Sequence, residues 1–220
     1  MATRSKKTTP KRRETDDVSG LRARLLDAAF SVFTEHGYAG ASMLEIATRA
    51  KVSKRELYAQ FASKEALFAA GIAANAPRLQ DAPPFPPITD RAVLAAVLKT
   101  YGAATLTGVT DPHVLAVFRL AIAESAKSPD LARTLNRHGR DANRAVLFAI
   151  LSEARARKLI ASDPPAELVE EFLGLLWGGL MIDLLFQSVP RPSAKEFARR
   201  AARATAAFLT LHGMPPEISV

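Results

Sequence analysis

The stretch that decides the fold is Ala41–Phe68, ASMLEIATRAKVSKRELYAQFASKEALF. Ser42 is followed three residues later by Glu45, and Ser53 by Glu56. Each pair has the form of a capping box: the serine oxygen accepts from an early helical N–H, and the glutamate reaches back to the serine N–H. The two starts lie so close together that the first helix is short, about Met43 to Arg49. Ala50-Lys51-Val52 then forms a tight turn, and the second helix runs from about Lys54 to Gln60. Ile46, Ala47, Val52, Leu57 and Phe61 are the apolar positions that let these helices cross and pack on a preceding one. That preceding helix runs from about Leu21 to His36, with Leu25, Ala28, Ala29, Val32, Phe33 and His36 on one face and Gly37 as a left-handed stop. Helices this short do not hold alone, so the three form one unit.

A three-helix unit with a tight turn between its last two members is a helix-turn-helix. Its second helix is small enough to lie in a DNA major groove, with its N-terminal residues facing the base edges. Arg55 is the candidate for base readout, because its fork matches guanine N7 and O6; a phosphate contact or a solvated ion pair is the plainer use. Lys51 and Lys54 are nearby cations for phosphate or base. Glu56 is accounted for by its capping role. Ser42 and Lys64 stand at helix N-termini, where backbone N–H groups and the helix dipole favour phosphate.

Residues 25–72 resemble the DNA-binding domain of the TetR/AcrR family of bacterial transcription regulators. The resemblance rests on the Ala28-Ala29-x-x-x-Phe33 run, the Gly37-Tyr38 corner, Ile46-Ala47, Val52-Ser53, Leu57-Tyr58, Phe61 and Ser63-Lys64-Glu65-Ala66-Leu67 in one register. It implies a DNA-contacting set of Ser42, Lys51, Ser53, Lys54, Arg55, Tyr58 and Lys64, with the Tyr58 phenol on a phosphate. It also implies a larger C-terminal half that binds a small molecule and forms a homodimer. Two positions depart from the family pattern. Lys51 stands where the family usually has the turn glycine, which predicts mild strain or a slightly different turn. Arg55-Glu56 replaces a small residue and Thr or Ser, so the operator cannot be borrowed from a relative.

The whole chain has 220 residues and a formal charge of +8. Most of that excess lies in Arg4, Lys6, Lys7, Lys11, Arg12 and Arg13, within a segment expected as a disordered basic tail over residues 1–19. Such a tail serves either as a solubilising terminus or as an arm on DNA phosphates or a minor groove. Residues 14–75 carry seven basic and eight acidic side chains, so bulk charge does not make the DNA argument; placement does. With no cysteine, disulfides, thiolate metal sites and cysteine nucleophiles are excluded, and a cytoplasmic address fits. His36, His113, His138 and His212 are too far apart for metal spacing, and no catalytic motif appears. The expectation is therefore no cofactor, no metal and no enzyme. Phe172–Val189 is the most apolar stretch, but Asp183 and Gln187 interrupt it, so it reads as a buried helix and not as a membrane span.

Five prolines between residues 76 and 88 mark a linker between residues 20–75 and a larger unit over 89–212, with a C-terminal tail at 213–220. Thr89-Asp90, Asp111-Pro112, Ser128-Pro129, Asp163-Pro164 and Ser193-x-x-Glu196 are successive start signals. They predict helices at about 89–108, 112–127, 129–157, 164–188 and 194–212, with Gly139 bending the third. The fold expected is all-α, with about nine helices: an N-terminal helix-turn-helix domain and a larger helical regulatory and dimerisation domain. Candidate ligand-pocket residues are Phe118, Ile122, His138, Phe148, Phe172 and Trp177, with His113, Arg119, Asn136 and Asn143 as further polar ones. Candidate dimer-interface residues are Phe172, Leu175, Gly178, Gly179, Ile182 and Phe186, on the helix that the family pairs with its copy. The function expected is a ligand-responsive repressor, released from a near-palindromic duplex operator by a small molecule. The alternative is a DNA-binding regulator without an inducer, controlled by protein partners or abundance.

Overall fold

A computed structural model describes residues 11–75, 85–127, 129–160 and 163–213, without the side chains of residues 11–19, 73, 75, 130–132 and 138. The far tail, most of the proline segment and the C-terminal tail lie outside the described residues. The structure divides into two compact units, residues 1–71 and 72–220, so the division falls inside a helix and not in the proline segment. Among the described residues the chain is helical, with one isolated bridge between Ile160 and Gly213 and no strand.

The first unit holds α1 (Lys11–Gly40), α2 (Met43–Arg49), α3 (Lys54–Gln60) and the start of α4 (Lys64–Asn75). α1 begins well before the expected Leu21, because no proline or glycine interrupts Lys11–Ser19 and its Lys, Arg and Glu are good helix formers. It breaks at Gly37, where φ is 71°. Leu25, Ala29, Val32, Phe33, Ile46, Ala47, Leu57, Phe61 and Leu67 are buried together. Phe33, Tyr38 and Phe68 form an aromatic trio with ring centroids 5.4 to 5.7 Å apart.

The second unit holds α5 (Arg91–Val109), α6 (Pro112–Glu124), α7 (Pro129–Leu135), a π-helical turn at Asn136–Arg140, α8 (Asp141–Ala156), α9 (Pro165–Trp177), α10 (Leu180–Leu185) and α11 (Ala194–His212). Two expected helices are therefore divided, and nine become eleven. The 129–157 helix is interrupted by the π turn that contains Gly139. The 164–188 helix stops at Gly178, whose φ of 45° and ψ of −129° no helix accommodates. Asp90, Asp111 and Ser193 cap their helices as expected. Asp163 does not. Pro165 takes the first helical position, which moves the cap to Pro164, and the Asp163 carboxylate lies 3.7 Å from His212 instead.

α11 packs along α5 and α9, and α8 along α9. Tyr101, Phe172 and Phe208 stack through this core at 6.2 and 5.5 Å. α5 is long and apolar enough to cross a membrane, yet Leu94, Val97, Leu98, Tyr101 and Leu106 on it belong to the core cluster. Cations close several helix ends. Lys64 donates to carbonyls after the α1 break, Arg191 to Thr107 and Thr110 at the end of α5, and Arg119 to Leu184 and Leu185 at the end of α10. Arg200 donates to Leu176 and Trp177 at the end of α9, and Arg91 to Leu209 near the end of α11. Each adds a donor to helix-end carbonyls and places positive charge at the negative end of a dipole, although the Leu184 and Leu209 carbonyls also accept the backbone N–H groups of Gln187 and Gly213.

Candidate DNA-reading unit and ligand cavity

α2 and α3 are positioned by their caps. Ser53 and Glu56 form the full reciprocal box: Ser53 N–H donates to Glu56 at 2.7 Å and Glu56 N–H to Ser53 Oγ at 3.1 Å. The Ser53 hydroxyl and N–H hold the Glu56 carboxyl below its usual value. At α2 only half of the expected box forms. Glu45 N–H donates to Ser42 Oγ at 3.1 Å, but the Glu45 carboxylate turns to His36 at 3.0 Å and Arg49 at 3.3 Å. Arg49 also donates to Ser31 and to Glu35, and this hydrogen bond is the main reason the Glu35 carboxyl lies below its usual value. These pairs tie α2 to α1.

The turn between α2 and α3 is a Schellman motif. Lys51 N–H donates to Thr48 at 3.1 Å, Val52 N–H donates to Ala47 at 3.0 Å, and Lys51 takes φ 56°. Lysine therefore adopts the left-handed conformation that glycine would adopt freely. Lys51, Ser53, Lys54, Arg55 and Tyr58 are all exposed on this turn and the first turn of α3. The Lys54 ammonium lies 5.8 Å from the centre of the Tyr58 ring. Arg55 has no hydrogen bond or ion pair among the described residues. Ser42 is exposed at the start of α2.

Lys64 differs from the rest of the expected set. Its ammonium points inward, donating to the carbonyls of Tyr38 at 2.7 Å, Ala41 at 3.1 Å and Ala39 at 3.4 Å, over the Tyr38 ring. Three acceptors use its three protons. Its evident work is to hold the α1 corner.

The second unit contains a cavity of about 660 Å³. Two of the helical segments that line it differ in character. Val114, Val117, Phe118, Ala121 and Ile122 come from α6, at helical spacing. Asn136, Gly139, Arg140, Asn143 and Arg144 come from the π turn and the start of α8, also at helical spacing. Trp177, Met181 and Leu185 add apolar wall, and Arg144 pairs with Glu170. Tyr101 and Thr105 line the cavity from α5. The Tyr101 phenol donates to the Asn143 carbonyl at 3.0 Å, and burial pushes it up to about 12. The Thr105 hydroxyl is buried without a hydrogen bond of its own.

Of the pocket candidates, Phe118, Ile122 and Trp177 line this cavity, as do Asn136 and Asn143. Phe172 does not. It is fully buried in the aromatic core, which removes it from both the pocket and the dimer face. Phe148 lies away from the cavity and is 47% exposed. Arg119 is engaged in closing α10, and His113 lies beside Asp111 in the first turn of α6. The side chain of His138 lies outside the described residues. Sequence reading missed Arg140, Arg144 and Gly174; the 136-140-143-144 spacing was the available signal. Of the dimer candidates, Leu175, Ile182 and Phe186 are exposed, the last at 80%. Gly178 and Gly179 are exposed too, but their evident role is to end α9.

A tight-turn pair of short helices with free cations, joined to a helical unit with a cavity, defines a helix-turn-helix transcription regulator. Residues 25–70 match the family described as bacterial regulatory proteins, tetR family, and residues 96–213 match the AefR-like transcriptional repressor, C-terminal domain. The flavonoid-responsive regulator FrrA is 31% identical, with 90% of this chain and 99% of that one covered, at a TM-score of 0.74. A TetR transcriptional regulator from Agrobacterium tumefaciens is 27% identical, with 88% and 95% covered, at a TM-score of 0.71. The A-factor receptor protein of Streptomyces griseus is 56% identical over 43 residues, which span 20% of this chain and 16% of that receptor. The chain belongs to the TetR family of DNA-binding transcription regulators, proteins that are not enzymes.

Proposed function

We propose that this regulator is a ligand-responsive repressor that works in the cytoplasm as a homodimer on a near-palindromic duplex operator. Lys51, Ser53, Lys54, Arg55 and Tyr58 meet the DNA from the turn and first turn of α3, and Ser42 meets a phosphate at the start of α2. Lys64 supports the corner on which they stand. Two such units, one from each copy, enter successive major grooves about 34–36 Å apart. The copies pair through the exposed Leu175, Ile182 and Phe186 and the groove beside them, which Phe197, Arg203 and Ala207 help to line.

The observation that carries the ligand-responsive part is the 660 Å³ cavity, a volume in the range of small-molecule sites. A regulator controlled by protein partners or abundance has no use for such a space. The flavonoid response named for the relative at 31% identity supports the same reading. A ligand that prefers the non-binding state by about 1–3 kcal/mol lowers DNA affinity several- to a hundredfold. Footprinting on genomic fragments tests the proposal: a two-fold symmetric protected site, occupied by two chains, is expected. Protection of an asymmetric half-site by one chain would remove the dimeric reading.

A further inference from the structure

The cavity is lined by an apolar row and a polar row, and that sets the chemistry of what fills it. Resting on the effector reading above, we infer that the ligand is an amphipathic monoanion: an apolar body with one carboxylate-like end. The apolar face of α6 has Ser125 as its one hydroxyl, at the far end of the row. The row from Asn136 to Arg144 supplies two side-chain amides and two guanidinium groups. One of these cations is already neutralised, since Arg144 pairs with Glu170. Arg140 has no carboxylate partner among the described residues; its one hydrogen bond is a 3.4 Å contact to Asn136 Oδ1. Among the described residues the cavity wall therefore carries one positive charge without a carboxylate partner, with Asn136 and Asn143 in the same row.

A carboxylate satisfies this set. The Arg140 fork donates to its two oxygens, and Asn143, three residues on in the same lining row, offers an amide N–H as a further donor. Arg140 is exposed, so water solvates it when no anion is bound; a neutral alcohol gains no charge-assisted pair from it, and a cation meets repulsion. The apolar body lies along Val117, Phe118 and Met181, against Trp177. The irregular π-helical turn sits within this polar row, where it sets the offset between Asn136 and Asn143.

Trp177 is the chain's single tryptophan and lines the cavity, so its fluorescence reports occupancy. Decanoate, decan-1-ol and decyltrimethylammonium share one apolar body and differ in charge. Titrated into the full chain at neutral pH, decanoate is expected to bind about tenfold more tightly than decan-1-ol, and decyltrimethylammonium most weakly. Arg140→Gln is expected to remove that preference, leaving decan-1-ol affinity and thermal stability unchanged, and Arg140→Lys to restore part of it. The inference is overturned if decanoate does not bind, if decan-1-ol or the cation binds as tightly, or if Arg140→Gln weakens all three alike. The effector reading is judged separately, by anisotropy on the footprinted duplex. Decanoate that binds but leaves DNA affinity unchanged removes the effector role and keeps the ligand class. Release by decan-1-ol as strong as by decanoate keeps the role and removes the class.

Discussion

Lys51 and Lys158 share a conformation and differ in surroundings. Both hold φ at 56° in Schellman motifs, Lys51 at the end of α2 and Lys158 at the end of α8. A side chain in this region costs about 1–2 kcal/mol, partly offset by the greater chain entropy that glycine loses. Lys51→Gly and Lys158→Gly are each expected to stabilise the protein by about 0.5–1 kcal/mol, read by denaturant unfolding. Only Lys51→Gly should also weaken DNA binding and reduce the salt slope, by about 1 if the lysine meets a phosphate. Equal effects of both on DNA would remove Lys51 from the interface. Arg55 is exposed and has no partner to lose among the described residues, so Arg55→Ala should leave stability within about 0.5 kcal/mol of wild type. Against a panel of operator variants, it should cost about 1–3 kcal/mol and relax preference at one base pair. A uniform loss across the panel would make Arg55 a phosphate contact.

At the scale of the element, helix endings decide the architecture. The serine–glutamate spacing announced the starts of α3 and α11, because a cap is local and both partners are near in sequence. Endings were harder to read. Lys51, Lys158 and Gln187 occupy left-handed positions where no glycine marks them. The guanidinium that closes α9 comes from Arg200, far along the chain. Gly178 and Gly179 suit a dimer face as well as a helix stop in sequence, and it is the positive φ of Gly178 and the Arg200 guanidinium at the end of α9 that separate the two. Two glycines four residues apart therefore make opposite predictions. A Cβ at Gly174 meets nothing within 4 Å, so Gly174→Ala should stabilise α9 by about 0.5–1 kcal/mol through helix propensity. At Gly178 the positive φ and the Arg200 guanidinium 3.0 Å from a Cβ make Gly178→Ala destabilising by about 1–2 kcal/mol. Thermal unfolding of the two variants checks the pair, and a destabilised Gly174→Ala would contradict an open wall there.

At the scale of the whole molecule, the DNA-binding unit was legible because its signals are short-range: two caps, one turn and an apolar register. The cavity was only half legible. Asn136 and Asn143 stood out as polar groups in an apolar region, but which aromatics face a cavity and which fill the core depends on packing between distant helices. Phe118 and Phe172 look alike in sequence and end in different places. Tyr101, at the junction of core and cavity, gives the regulatory unit a pH signature. Its phenol is pushed up to about 12 from an ordinary 10.0 by burial, so the folded state favours the protonated form. That contribution is complete below pH 10 and is lost as pH rises through the interval to about 12. Tyr101→Phe is expected to flatten the alkaline fall in stability, at the cost of about 1 kcal/mol near neutral pH for the bond to Asn143. An unchanged alkaline profile would show that another group governs it. The account as a whole stands on the cations of α3 and its preceding turn, because residues 14–75 carry no net positive charge to attract DNA indiscriminately. Its central claim is tested most directly by the affinity of the full chain for duplex DNA from its own promoter region, measured by anisotropy from about 50 to 200 mM salt. The predicted result is tight binding with log affinity falling linearly against log salt, and a shallower slope in Lys51→Ala/Lys54→Ala. Absent binding, or binding indifferent to salt and to these substitutions, would contradict it.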